Sequence, residues 1–233
     1  MRMKIFELNL SSDRPIIGNA TGLRGFFTTK FREHKLIHQH DGKKYIYDYP
    51  LFQSKMINDT PKIIGIGSFL KVEDGVSVLK DIYNKFDEII LGKNIYKITG
   101  RSFSIKNKEF GITNDMLTYK LVTPWYPYSP KNYKKFLITR NAKERYELLE
   151  KILKGNIITI SKRMNKLSAS RAYEIIGDIN CDLNVKIKGK CEFHGHSFIM
   201  YDGSFDVNVQ IPNYIGIGSN SSFGFGAVKR IEI

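Results

Sequence analysis

The first hundred residues switch hydrophobic period in a fixed order, and that order leaves few folds open. Lys4 to Leu10 alternates, with Ile5, Glu7 and Asn9 on one side and Phe6, Leu8 and Leu10 on the other, the period of a half-buried strand. Asn19 or Thr21 is placed to cap a helix reaching about Lys35. Its apolar face is Leu23, Phe27 and Phe31, which recur every fourth residue. Lys43 to Tyr49 reads as a short aromatic strand and Lys62 to Leu70 as an Ile-rich one. Asp74 then caps a helix facing inward through Val76, Leu79, Ile82 and Tyr83. Ile89 to Gly100 and Arg101 to Ile105 read as further strand. The order is β-α-β-β-α-β, the split βαβ or ferredoxin-like motif.

The second half starts the same way. Met116 to Val122 reads as a strand, and Ser129-Pro130 starts a helix, with Ser as N-cap and Pro in the first turn. That helix is expected from Lys131 to about Lys154, burying Phe136, Leu148, Leu149, Ile152 and Leu153. Ile157–Ile160, Leu183–Ile187, Glu192–Tyr201 and Ala227–Ile231 read as strands, and Ala169–Ile176 as a short second helix. The expectation is an α+β chain of two tandem ferredoxin-like (RRM-like) domains, residues 1–113 and 114–233, the second less regular, dividing near Gly111–Asp115.

Charge narrows the partners. The 233 residues carry 37 Lys and Arg against 23 Asp and Glu, a net charge of +14 that attracts polyanions. From Lys151 to Arg171 there are six basic residues and no acidic one. Thirteen Tyr, fifteen Phe and one Trp supply faces on which bases stack. Two cysteines are too few for a disulfide framework. Met1 to Leu10 lacks the apolar core of a signal peptide, and no apolar run reaches the length of a membrane span. A cytoplasmic location, with no membrane partner, is therefore expected.

The C-terminus holds the most unusual pattern, Gly216-Ile217-Gly218, five residues, then Gly224-Phe225-Gly226 before a last strand. Glycine permits positive φ and close backbone approach, and such a loop can expose peptide N–H groups to phosphates. A dinucleotide fingerprint would need glycine where Ser221 stands, and no G-x-x-x-x-G-K-[ST] occurs, so nucleotide hydrolysis on a P-loop is excluded.

Ile211-Pro212-Asn213-Tyr214-Ile215-Gly216-Ile217-Gly218, followed by Ser222-Phe223-Gly224-Phe225-Gly226, resembles the signature loop of the CRISPR repeat-processing endoribonucleases. These belong to the repeat-associated RNA-binding superfamily. Tyr47-Asp48-Tyr49-Pro50-Leu51-Phe52-Gln53-Ser54-Lys55 resembles that family's Tyr-Pro-Leu-x-Gln-x-Lys strand, and Glu150 to Ile157 its helix-to-strand turn. The resemblance implies an endoribonuclease whose partner is CRISPR repeat RNA, with a CRISPR effector complex and a second copy in a homodimer as further candidates that the sequence leaves open. It places catalytic histidines in the first domain and the glycine-rich loop in the second. The alternative is a non-catalytic RNA-binding subunit of an effector complex.

The resemblance makes His38 and His40 the catalytic candidates, and His34 a weaker one. RNA supplies its own nucleophile, the 2′-OH, so cleavage needs a base, an acid and cations at the phosphate. One imidazole can serve as base and another as acid, Lys43 and Lys44, Lys44 foremost, can steady the phosphate, and Tyr45 or Tyr47, Tyr47 foremost, can position it. The family's products carry a 2′,3′-cyclic phosphate and a 5′-hydroxyl, with no metal and no cofactor. RNA contacts are expected from Gly216, Gly218, Ser219, Asn220, Gly224 and Gly226 and from Lys162, Arg163, Lys166 and Arg171. Residues 219–223 are uncharged where many relatives carry a Lys or Arg, which leaves phosphate binding by the loop to its backbone. Cys191, His194 and His196, with Cys181 as a fourth ligand, match no common zinc spacing, so no metal site is assigned.

Overall fold

The computed structural model describes residues 2–34, 37, 40–41, 44–45, 48–67, 73–165, 178–193 and 196–232. The chain divides into two compact units, one of Arg2–Lys108 with Ser222–Gly224 and the other of Glu109–Ser221 with Phe225–Ile233. Among the described residues no helix is long and apolar enough to cross a membrane.

The first unit runs β1 (Arg2–Ser12), α1 (Ala20–Lys30), β2 (His40–Asp41), β3 (Lys44–Tyr45), β4 (Phe52–Ile57), β5 (Thr60–Ile66), α2 (Glu73–Asn84), β6 (Glu88–Leu91) and β7 (Asn94–Glu109). Its sheet order is β4-β5-β1-β7-β6, the ferredoxin-like arrangement with a hairpin as its last element. Asn19 caps α1, its Oδ1 accepting the Gly22 N–H at 2.9 Å. The period-four residues Leu23 and Phe27 are fully buried, and Phe27 meets Phe31, Phe52 and Phe86 at ring separations of 6.0, 6.1 and 5.6 Å. Each such ring removed from water contributes about 1.5–3 kcal/mol. In α2 Val78 and Ile82 are buried and Leu79 half-buried, whereas Tyr83 is 43% exposed, so the expected inward turn of Tyr83 is corrected. The helix starts at Glu73, which puts Asp74 in its first turn rather than at its cap.

The second unit runs β8 (Gly111–Leu121), α3 (Pro130–Ile138), α4 (Ala142–Asn165), β9 (Cys181–Phe193), β10 (His196–Gln210) and β11 (Val228–Arg230), in sheet order β11-β8-β10-β9. Ser129 caps α3 as expected. The single helix foreseen from Lys131 to Lys154 is two. Asn141 interrupts it and starts α4, its Oδ1 accepting the N–H groups of Lys143 and Glu144 at 2.8 and 3.2 Å. The strand foreseen at Ile157–Ile160 is helix as well. Its β-branched residues continue the i, i+4 face of Leu149 and Leu153, and Ile157 and Ile160 are 1% and 0% exposed, so burial overrides propensity. Tyr119 stacks on Phe205 at 5.7 Å within the sheet's core. Between β10 and β11, where a ferredoxin-like unit carries its second helix, lies the glycine-rich segment with a short 3₁₀ turn at Ser221–Phe223. The short helix foreseen at Ala169–Ile176 lies outside the described residues.

Candidate nucleic-acid interface

The glycine segment is built inward. Gly218, Gly224 and Gly226 have φ of +84°, +98° and +64°. A Cβ at Gly226 would overlap the carbonyl oxygen of Ile217, and one at Gly224 would overlap the Ala20 methyl and lie 3.3 Å from Ser54 O. Ile217 N–H donates to Gly226 O at 2.9 Å, Gly226 N–H to Pro124 O at 2.8 Å and Ser219 N–H to Tyr126 O at 2.9 Å. Ala227 N–H donates to Thr123 Oγ1 at 2.8 Å. Ile215 and Ile217 are fully buried. These four N–H groups already have protein acceptors, so a phosphate cradle in this segment would fall to its other N–H groups. Gly218, Ser219 and Asn220 form a half-buried run between buried flanks, and Asn220 has φ +57°. In the first unit, the Arg24 guanidinium lies 4.2 Å from the Phe223 ring centroid.

Of the expected basic residues, Lys162 is exposed and Arg163 half-buried in the last turn of α4, while Lys166 and Arg171 lie outside the described residues. His38 and Tyr47 also lie outside them. His40 and Lys44 belong to the paired strands β2 and β3, where His40 faces Tyr45 and Asp41 faces Lys44 in antiparallel register.

Sequence reasoning passed over a polar row on the first sheet. In β4, Gln53 and Lys55 are both fully buried, and Gln53 donates to Tyr49 Oη at 2.8 Å. Lys55 pairs in register with Lys62, which salt-bridges Glu7 and hydrogen-bonds Asn9. Burial drives the Lys55 ammonium down to about 7. Two basic residues so placed on neighbouring strands leave no period-two signature, because both faces of β4 are covered.

Register keeps Cys181 away from Cys191. Cys181 faces Val207 and Cys191 faces Phe198, so ten strand residues, about 33 Å, separate the two thiols. Among the described residues, Glu33, His34 and Asp81 bring ligand atoms within 4.8 Å of one another. Lys85 Nζ already sits 2.7 Å from Asp81 Oδ2 and offsets that carboxylate's charge.

Residues 1–109 match the Cas6b N-terminal domain and residues 111–231 the Cas6b C-terminal domain. The chain belongs to the Cas6b family. A Cas6b crystal structure is 28% identical with a TM-score of 0.83, covering 99% of this chain and 100% of its own. A structure described as the CRISPR RNA processing endoribonuclease Cas6b is 27% identical with a TM-score of 0.71 and the same coverage. A Cas6 product complex shares the fold at 10% identity and a TM-score of 0.61, over 98% of this chain and 99% of its own. An uncharacterised protein of Methanocaldococcus jannaschii is 35% identical over 146 residues, 62% of this chain and 93% of that protein.

Proposed function

We propose that this chain binds CRISPR repeat RNA and cuts precursor CRISPR RNA within it. The observation that carries the reading is the match of both domains of one nuclease family to consecutive halves of the chain. A base among His38 and His40 takes the proton of the ribose 2′-OH. The O2′ attacks the adjacent phosphorus, the P–O5′ bond breaks, and the other imidazole protonates the departing O5′. The products are a 2′,3′-cyclic phosphate and a 5′-hydroxyl. Lys44 offsets charge building on the phosphate and Tyr47 orients it. No step requires a metal.

RNA is held by Lys162, Arg163, Lys166 and Arg171 and by the half-exposed run Gly218-Ser219-Asn220. Gly216, Gly224 and Gly226 shape the turn that presents that run. The double variant His38→Ala/His40→Ala tests the chemistry. Cleavage of repeat RNA is expected to vanish while affinity stays within about threefold, since neither imidazole carries the phosphate's main electrostatic attraction. Intact turnover in the double variant overturns the assignment. A wild-type protein that binds repeat RNA and never cuts it would be a binding subunit of an effector complex instead.

A further inference from the structure

His34 stands four residues before the first catalytic candidate, and it is not a surface histidine. It is 7% exposed, and its ring lies 6.4 Å from that of Phe31, itself 1% exposed. Its Nε2 is 2.8 Å from Asp81 Oδ2 on α2. The Asp81 carboxyl is held below its ordinary range, first by the hydrogen bond from Lys85 and then by that from His34. A carboxylate only accepts, so Nε2 carries the proton and donates it. The backbone is tied at the same place. His34 N–H donates to Phe31 O and Ile37 N–H donates to His34 O, both at 3.1 Å, and Ile37 is 1% exposed.

We propose that the His34–Asp81 pair is a positioning device for cleavage. It fastens the chain leaving α1 to α2 and so sets the point from which the histidine-bearing stretch departs. This rests on the reading of His38 and His40 as the proton carriers. His34 is assigned the positioning role because it is buried and its Nε2 bonds Asp81. Hydrocarbon beside Phe31 and Ile37 would fill the same space. A directional bond to a residue 47 positions away adds what hydrocarbon lacks, a fixed rotation of the segment about the helix exit. Among the described residues, Glu33, 3.8 Å from Nε2, and Lys85 are the other charged groups bonded at the pair.

The test compares His34→Ala with His34→Gln, whose side-chain amide donates from nearly the same reach. Two quantities are read: single-turnover cleavage with repeat-RNA affinity, and amide exchange at Ile37 without RNA. His34→Ala is expected to slow cleavage about 10- to 100-fold, the range for a small misplacement of reacting groups, with affinity unchanged. Ile37 exchange should accelerate in the same variant. His34→Gln should restore both. Asp81→Asn, which keeps His34 and weakens the pair, replaces His34→Ala if the latter does not fold. Wild-type cleavage in His34→Ala overturns the proposal, as does a loss confined to affinity. A His34→Gln protein with protected Ile37 and no cleavage would make His34 a proton carrier and equally end it. If the wild type itself does not cut RNA, the nuclease reading fails, and Ile37 exchange alone decides whether the pair holds the segment.

Discussion

Gly226→Ala is the sharpest test of a glycine turn built for close packing. The new Cβ would overlap the Ile217 carbonyl oxygen and lie 3.1 Å from the Ile217 carbon and nitrogen, all of them backbone atoms that no rotamer can move aside. At φ +64°, alanine itself costs about 1–2 kcal/mol. Relief of the overlap separates the two arms of the turn and gives up the bonds of Gly226 to Ile217 and Pro124. At about 0.5–1.5 kcal/mol for each bond, the sum is roughly 2–5 kcal/mol. For a unit of this size that corresponds to a fall in Tm of about 8–20 °C, at about 4 °C per kcal/mol. Thermal melts by circular dichroism measure it, and RNA affinity is taken well below the lowered midpoint. Affinity there should stay within about threefold, because the N–H groups concerned already have protein acceptors. A variant that melts within about 2 °C of wild type yet binds RNA much more weakly would refute the reasoning, since it would mean that RNA, not Ile217, needs the space.

Gly155→Ala should do the opposite. A Cβ at Gly155 meets nothing within 4 Å inside α4, so alanine is expected to stabilise by about 0.5–1 kcal/mol, read as a higher urea midpoint at unchanged slope. Lys55 gives a pH signature. Its folded-state pKa of about 7 lies below the ordinary 10.5. Below pH 7 both folded and unfolded chains hold the proton, and the burial penalty is complete. Between about 7 and 10.5 only the unfolded chain holds it. Wild-type stability should therefore rise relative to Lys55→Met by up to about 1.4 kcal/mol per pH unit in that window. Urea melts from pH 7 to 10 with a constant difference would contradict this. Cleavage should persist in excess EDTA, because the proposed proton transfers use side chains alone, and complete loss on chelation would refute that.

The alternation of β1 from Phe6 to Leu10, the capped face of α1, the body of β8 and the cap of α3 were legible because a buried face stamps a period on the sequence there, whereas β8 begins at Gly111, five residues before the Met116 expected. The strand β4 is legible through its family resemblance and not through its period, since Phe52, Gln53, Ser54 and Lys55 are buried alike. The end of α4 misled for a different reason. Local propensity favours a strand at Ile157–Ile160, and only the tertiary face shared with Leu149 and Leu153 selects helix. The glycine spacing was visible, but its use was not. Whether an N–H faces a ligand or a carbonyl depends on Pro124 and Tyr126, about a hundred residues earlier in the chain. The partner of His34 is equally distant in sequence, so burial and pairing there could come only from three dimensions.

The helical Ile157–Ile160 run also has a consequence for synthesis. It leaves the ribosome before β9 and β10, the strands that complete its unit's core, have been made. About 50 residues separate it from the end of β10, a wait of roughly 3–10 s at ordinary translation speeds. During that interval a β-prone, uncharged stretch stands without its sheet, a nascent-chain hazard that the flanking Lys151, Lys154, Lys162 and Arg163 counter by repulsion between copies.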